Sequence, residues 1–267
     1  MAEQILIAGY GAMTSAMVEG WLRAGVPAQS ITAYGPRRKG VPEGMRFVTE
    51  VPGGPFDVIL LGFKPQMLAD AAPPLEPLAG SGTTVVSVLA GVELASLARI
   101  YPRAGGSVRL MPNLAAALGK SPIALVAQGL DGERQARITA LADMLGRAEW
   151  LPDESQFDLV AALSGSGPGF VYRFIEALAA GAVELGLDGA LAEHLAVQMV
   201  EGAGALAAGS PYSPSQLARR VASPGGMTQK GLDVLDEGGA LHLLVTATLR
   251  AARDRGREMA LAAREQG

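Results

Sequence analysis

Gln4-Ile5-Leu6-Ile7-Ala8-Gly9-Tyr10-Gly11-Ala12-Met13-Thr14 reads as a short buried strand, a glycine turn and the start of an amphipathic helix reaching about Ala24. Gly9 permits the tight turn and Gly11 lets the backbone approach a pyrophosphate. The helix start at Ala12 and Met13 adds partial positive charge. Thr14 stands where a third small residue is usual and is expected to crowd the helix against the strand. Strand, Gly-x-Gly turn and helix in this order predict a doubly wound α/β domain that binds a dinucleotide; the plain alternative is a tight βα turn without a ligand.

Working outward, Ser30 to Tyr34 reads as the second strand, with no acidic residue at its end to hold a ribose 2′-hydroxyl. Gly35-Pro36-Arg37-Arg38-Lys39 follows, so a 2′-phosphate is favoured there and NADPH is expected over NADH. Arg37 and Arg38 are the candidates for that contact, and a solvated basic loop is the alternative. Arg46 to Val48 is a weak strand. Asp57 to Phe63 and Thr83 to Leu89 are nearly continuous in apolar residues, as a parallel sheet buried on both faces requires. The first ends on Lys64-Pro65-Gln66, the second on Ala90-Gly91-Val92 and a helix through about Ile100. Ser107 to Met111 leads into Pro112-Asn113, and Ser121 to Val126 and Glu149 to Leu151 flank a helix from about Gly132 to Leu145. Residues past the carboxyl ends of such strands line the ligand crevice, which places Lys64 and Gln66 to touch cofactor or substrate and makes Pro65 and Asn113 further candidates for cofactor contact. A turn role fits Asn113 equally well.

After Pro152 the β-branched runs stop and alanine-rich helical periodicity takes over. The chain is therefore divided into a dinucleotide-binding domain, 1–153, and an all-helical domain, 154–267. Helices are expected at about Gln156 to Leu163, Pro168 to Leu185, Gly189 to Ala208, Pro214 to Val221, Met227 to Asp236 and Ala240 to Arg264. Small residues such as Gly181, Gly202 and Gly204 on apolar faces predict burial against a second copy, with a tightly packed monomer as the alternative. A net charge of −4 provides no general field for nucleic acid or an anionic membrane, so any anion site is local. The absence of cysteine removes disulfides, thiolate metal sites and cysteine nucleophiles, and no metal-ligand spacing is present. No apolar run reaches transmembrane length free of Gly, Pro and charge, and no signal-peptide pattern opens the chain; cytoplasmic residence is expected.

Two further small-residue stretches are candidate anion cradles. In Ala162 to Tyr172 the run Ser164-Gly165-Ser166-Gly167-Pro168 leaves backbone N–H groups uncovered ahead of a helix, with Pro168 in its first turn. A flexible hinge is the other reading. Some sixty residues later, Ser223-Pro224-Gly225-Gly226-Met227-Thr228 opens another helix.

Taken in order, Gly9-x-Gly11-x-Met13, Lys64-Pro65-Gln66, Ser87 to Val92, Arg109-x-Met111-Pro112-Asn113, Ser164 to Pro168 and Ser223-Pro224-Gly225-Gly226-x-Thr228 resemble the pyrroline-5-carboxylate reductases over nearly the whole chain. The resemblance implies a Rossmann domain, a helical dimerisation domain, and NAD(P)H-dependent reduction of 1-pyrroline-5-carboxylate, a cyclic imino acid, to L-proline. It also implies a homodimer, with a larger ring of dimers as a further assembly. Carried over by position, Gly9, Gly11, Met13, Lys64 and Asn113 line the cofactor. Ser164, Gly165, Ser166, Gly167 and Pro168 hold the substrate together with Gly225, Gly226, Met227 and Thr228, and Thr228 is placed to bond its nitrogen. Thr14, Gly169, Met227 and Lys230 depart from the usual pattern, and Lys230 stands either beside the pocket or in solvent.

Neither His194 nor His242 sits in a motif, and no Ser-His-Asp arrangement is present. Imine reduction fits that lack, because a protonated cyclic imine accepts hydride without strong acid catalysis. For Thr228 the competing reading is a helix cap. Two rival functions stand beside the reductase: NADP-dependent reduction of a related cyclic imine or hydroxyacid, and NADPH binding by a sensor without turnover.

Overall fold

The computed structural model describes residues 3–265. It contains one eight-stranded sheet: β1 (Ile5–Ala8), β2 (Ile31–Tyr34), β3 (Arg46–Val48), β4 (Val58–Leu61), β5 (Thr84–Ser87), β6 (Ser107–Met111), β7 (Ser121–Gln128) and β8 (Gly146–Trp150), in the order β3-β2-β1-β4-β5-β6-β7-β8. β1 lies between β2 and β4, so the strand order reverses beside it and opens the crevice where such sheets bind ligands.

Side-chain alternation explains why both faces are covered. Ile5 and Ile7 point to one face, where they pack with Met17, Val18 and Trp21 of α1 (Ala12–Arg23) and Ile138 and Leu141 of α4 (Gly132–Asp143). Leu6 and Ala8 point to the other, among Leu68 of α2 (Leu68–Ala71), Leu94 and Leu97 of α3 (Leu94–Ile100), and Phe157 of α5 (Phe157–Val160). The doubly wound sheet expected from the apolar runs is thus present.

One strand boundary is corrected, and two features that the sequence pattern did not specify are added. β6 and β7 pair antiparallel, because the Pro112–Lys120 connection is shorter than the dozen or so residues a parallel crossover needs. β8 runs Gly146–Trp150 instead of from Glu149; it is an edge strand, and its alternating exposure hides its first three residues from a reading based on apolar runs. Between β4 and β5 the chain forms 3₁₀ turns around α2, where Pro73, Pro74 and Pro77 erase any helical period.

Contacts divide the chain into two compact units: residues up to Ser166 together with those from Ala251 onward, and Gly167–Arg250. In the first, the end of α10 (Ala240–Glu265) rests on the turn after β5, where a Cβ at Gly91 would lie 2.9 Å from Ala260 N. The second contains α6 (Gly167–Glu184), α7 (Gly189–Gly209), α8 (Pro214–Val221), α9 (Met227–Asp236) and the first part of α10. Asp188 caps α7 through Leu191 N–H, and Ser213 and Gln216 form a capping box on α8. Its apolar side chains are widely exposed, Leu185 at 91% and Leu244 at 67%, and among the described residues nothing beyond the local helix backbone lies within 4 Å of a Cβ at Gly181, Gly202 or Gly204. Among the described residues no helix is long and apolar enough to cross a membrane.

The crevice is set by a close contact between the turn after β1 and the end of β4. A Cβ at Gly9, whose φ is +94°, would lie 2.5 Å from Phe63 N, and one at Gly62 would lie 2.2 Å from Thr14 Cγ2. Thr14 therefore does not crowd α1 off the sheet, because the missing side chain of Gly62 receives its methyl. Gly62→Ala is expected to destabilise by about 2 kcal/mol through overpacking, and adding Thr14→Ala to recover part of that loss. Urea unfolding followed by tryptophan fluorescence checks this; Trp21 and Trp150 both belong to the sheet unit. A single variant as stable as the unsubstituted protein would contradict it.

Candidate active site

The glycine turn after β1 is held from both sides. Gly9 N–H donates to Tyr34 O at 2.8 Å, tying the turn to the end of β2. Gly11 N–H donates to Thr14 Oγ1 at 2.8 Å, and that hydroxyl lies 3.0 Å from the Gly9 carbonyl it donates to. Among the described residues, nothing beyond its chain neighbours lies within 4 Å of a Cβ at Gly11, so the face of this glycine is open to a ligand. The first-turn N–H groups at Ala12 and Met13 have no intrahelical acceptor, which makes this helix start fit a pyrophosphate.

The basic run after β2 is exposed, and its members take different positions. Lys39 Nζ donates to Tyr10 O at 2.5 Å, across the glycine turn. Arg38 lines an open cleft of about 360 Å³ with Phe47, Val48 and Glu50. Lys64 and Pro65 begin the 3₁₀ turn after β4, with Lys64 exposed.

Just past the end of β6, Asn113 is buried, and both ends of its side-chain amide are engaged. Its Oδ1 accepts from Ala115 N–H at 2.9 Å, which is the turn role, and its Nδ2 donates to Ser164 O at 2.9 Å. The Asn113 N–H itself donates to Ser121 Oγ at 2.9 Å. Ser164 lies in a π-helical turn, Ala161–Gly165, closed by Ser166 N–H donating to Ala161 O at 3.0 Å. The sequence reads helix to about Leu163 and a small-residue cradle or hinge from Ser164; the structure carries the helix on through Gly165 with one wide turn, a form concentrated at functional sites. Gly165 sits under Met111, whose sulfur would lie 3.2 Å from a Cβ there.

The same segment is anchored at its other end by a group the sequence reading quoted but assigned no role. Arg109, on β6, is 3% exposed. Its guanidinium bonds Glu154 at 2.8 Å, lies 3.8 Å from Asp158 and stacks 3.9 Å over the Phe157 ring. Glu154 Oε1 also accepts from Leu94 N–H at 2.9 Å, joining the start of α3 to the pair. Just ahead, the hydrogen bond from Ser155 N–H holds the Asp153 carboxyl below its usual range. β6 thus grips residues 154–165 at three levels, through Arg109, Met111 and Asn113.

The second predicted cradle belongs to the helical unit. Ser223-Pro224-Gly225-Gly226 is a turn closed by Gly226 N–H donating to Ser223 O at 2.9 Å, with Gly225 at φ +71°, the position where a type II turn requires glycine. Gly226 is the N-cap of α9, and no side chain caps that helix. Thr228 is therefore its second residue, which removes the N-cap reading. Thr228 is exposed, and Met227 is 95% exposed. Lys230 pairs with Asp233 at 3.7 Å and is largely in solvent. Gly167 and Pro168 open α6. His194 and His242 are exposed positions on α7 and α10.

A family model described as pyrroline-5-carboxylate reductase dimerisation matches residues 154–259. A pyrroline-5-carboxylate reductase of Glycine max is 36% identical over 263 residues, covering 94% of each chain. A solved pyrroline-5-carboxylate reductase from Coxiella burnetii is 27% identical, with a TM-score of 0.88 over 97% of this chain and 99% of its own. A Plasmodium falciparum pyrroline carboxylate reductase, solved with NADP bound, shares the fold with a TM-score of 0.81 at 22% identity, covering 97% and 98%.

Removing one partner of a buried ion pair leaves the other charge uncompensated, so Glu154→Ala is expected to cost about 3 kcal/mol. The double variant Arg109→Met/Glu154→Gln, which removes the buried charge as well, is expected to lose less. Urea midpoints decide this: a double variant less stable than Glu154→Ala would overturn the assignment of Arg109 as a charge held by Glu154.

Proposed function

Because the chain belongs to the pyrroline-5-carboxylate reductase family, we propose that it reduces 1-pyrroline-5-carboxylate to L-proline, the last step of proline biosynthesis, using NADPH in preference to NADH. The observation that carries this reading is the bond from Asn113 Nδ2 to Ser164 O, which joins the crevice end of β6 to the small-residue turn. A cofactor held at the Gly9 turn would be bordered by this junction of Asn113 and Ser164.

When bound, the dihydronicotinamide supplies hydride to the imine carbon, and the protonated ring nitrogen becomes an amine. The chain's own work is positioning. The turn at Gly9 and Gly11, with the N–H groups of Ala12 and Met13, takes the pyrophosphate. Lys64, Pro65 and Asn113 border the cofactor, and the Arg37-Arg38-Lys39 run faces its adenosine end. Ser164, Gly165, Ser166, Gly167 and Pro168 hold the substrate carboxylate and ring, as do Gly225, Gly226, Met227 and Thr228. The Thr228 hydroxyl bonds the ring nitrogen. Alignment of the two reacting carbons at about 3 to 3.5 Å supplies most of the acceleration, because the iminium needs no strong acid.

The wide apolar exposure on α6, α7 and α10 supports a homodimer, and a ring of dimers is the larger assembly proposed for it. The protein is proposed to work in the cytoplasm.

The test is NADPH oxidation with 1-pyrroline-5-carboxylate, with NADH run in parallel. Turnover with both and a higher kcat/KM for NADPH are expected; folded protein without turnover would overturn the reductase, and equal efficiency would overturn the preference. Thr228→Ala is expected to lower kcat/KM by about 10- to 100-fold, the worth of a hydrogen bond to a charged group. Its unfolding midpoint is expected to stay within about 0.5 kcal/mol, since no cap is lost. Unaltered kcat and KM would remove Thr228 from the mechanism.

A further inference from the structure

We infer that Lys39, and not Arg37 or Arg38, is the group that recognises the 2′-phosphate of the cofactor, an inference that rests on the NADPH preference proposed above. Its ammonium lies 2.5 Å from Tyr10 O although the two residues are 29 positions apart. That carbonyl belongs to the glycine turn, which Gly9 N–H fastens to Tyr34 O at the end of β2. The charge therefore stands where the β1 turn meets the end of β2, the place where an acidic residue would take a ribose 2′-hydroxyl in an NAD site. Tyr34 brings no carboxylate there to oppose it.

The turn also has little left of its own to offer a second phosphate. Gly9 N–H is spent on Tyr34 O and Gly11 N–H on Thr14 Oγ1. The donors at Ala12 and Met13 remain, and they are needed for the pyrophosphate. A phosphate monoester on the ribose must then be matched by a side-chain cation. A neutral carbonyl is a weaker partner for an ammonium than a phosphate dianion, so Lys39 gains by exchanging one for the other. Arg38 lines a separate open cleft whose wall includes Glu50. Arg37 is exposed with no such station on the turn.

Calorimetric binding of 5′-AMP, ADP and 2′,5′-ADP to the full-length protein separates the two phosphates without relying on catalysis. The unsubstituted protein is expected to bind 2′,5′-ADP about tenfold or more tighter than 5′-AMP. Lys39→Met is expected to lower that ratio by about tenfold, the loss of one charge-assisted hydrogen bond, while keeping the ratio of ADP to 5′-AMP. Lys39→Arg is expected to retain most of the discrimination, and Arg37→Met and Arg38→Met to change it less than about threefold. A Lys39→Met protein that keeps the 2′,5′-ADP advantage would overturn the inference, as would an equal loss for ADP, which would assign the ammonium to the pyrophosphate. A ratio near one in the unsubstituted protein would overturn the NADPH preference itself, before any variant is made.

Discussion

The turn after β1 and the end of β4 approach so closely that neither Gly9 nor Gly62 has room for a Cβ, and the methyl of Thr14 fills what space is left. The same threonine uses its hydroxyl to hold Gly11 N–H and to reach back to Gly9 O. One buried side chain therefore fixes both the path of the turn and the line of α1. The first-turn N–H groups of α1 point into the crevice because of it, and the end of β2 is drawn to the same spot through Gly9 N–H. An anion site needs donors that stay in place when the anion leaves, and this contact supplies that rigidity.

A second constraint governs the far side of the crevice. β6 ends on Asn113, whose side chain has one hydrogen bond to its own turn and one to the π-helical turn at Ser164. Arg109, four residues earlier on β6, grips Glu154 and Asp158 at the start of the same segment. A buried guanidinium is poor evidence of stability, since its desolvation offsets much of the attraction. Its use here is geometric: it sets where residues 154–165 run, and hence where the small residues of the turn lie relative to the strand ends.

Much of this was legible in the sequence. The apolar run within Gln4 to Ala8 and the turn behind it specified the sheet, its two covered faces and the crevice, because a continuously buried strand and glycine spacing are local signals. The direction of β7 and β8 was less visible, since it depends on the length of a connection and not on composition. The π-helical turn was invisible for a different reason: Ser, Gly and Pro carry loop propensity, and the bond from Asn113, distant in sequence, overrides it. Arg109 reads as one charge in an apolar strand until Phe157, Glu154 and Asp158 are seen around it. Which of the three adjacent cations folds back onto the turn is likewise not visible in their spacing; it is Lys39.

The helical unit presents apolar and small-residue faces that the chain does not cover, and the matching dimerisation model runs through it. The account therefore joins a rigid dinucleotide crevice to helices made for association, with imine reduction as the chemistry. The most direct test of that chemistry follows the hydride itself. With NADPH deuterated at the reactive C4 position and 1-pyrroline-5-carboxylate as substrate, the account predicts L-proline carrying one deuterium on the ring carbon that was double-bonded to nitrogen. Unlabelled proline, label on another carbon, or oxidation of the cofactor without proline would contradict it.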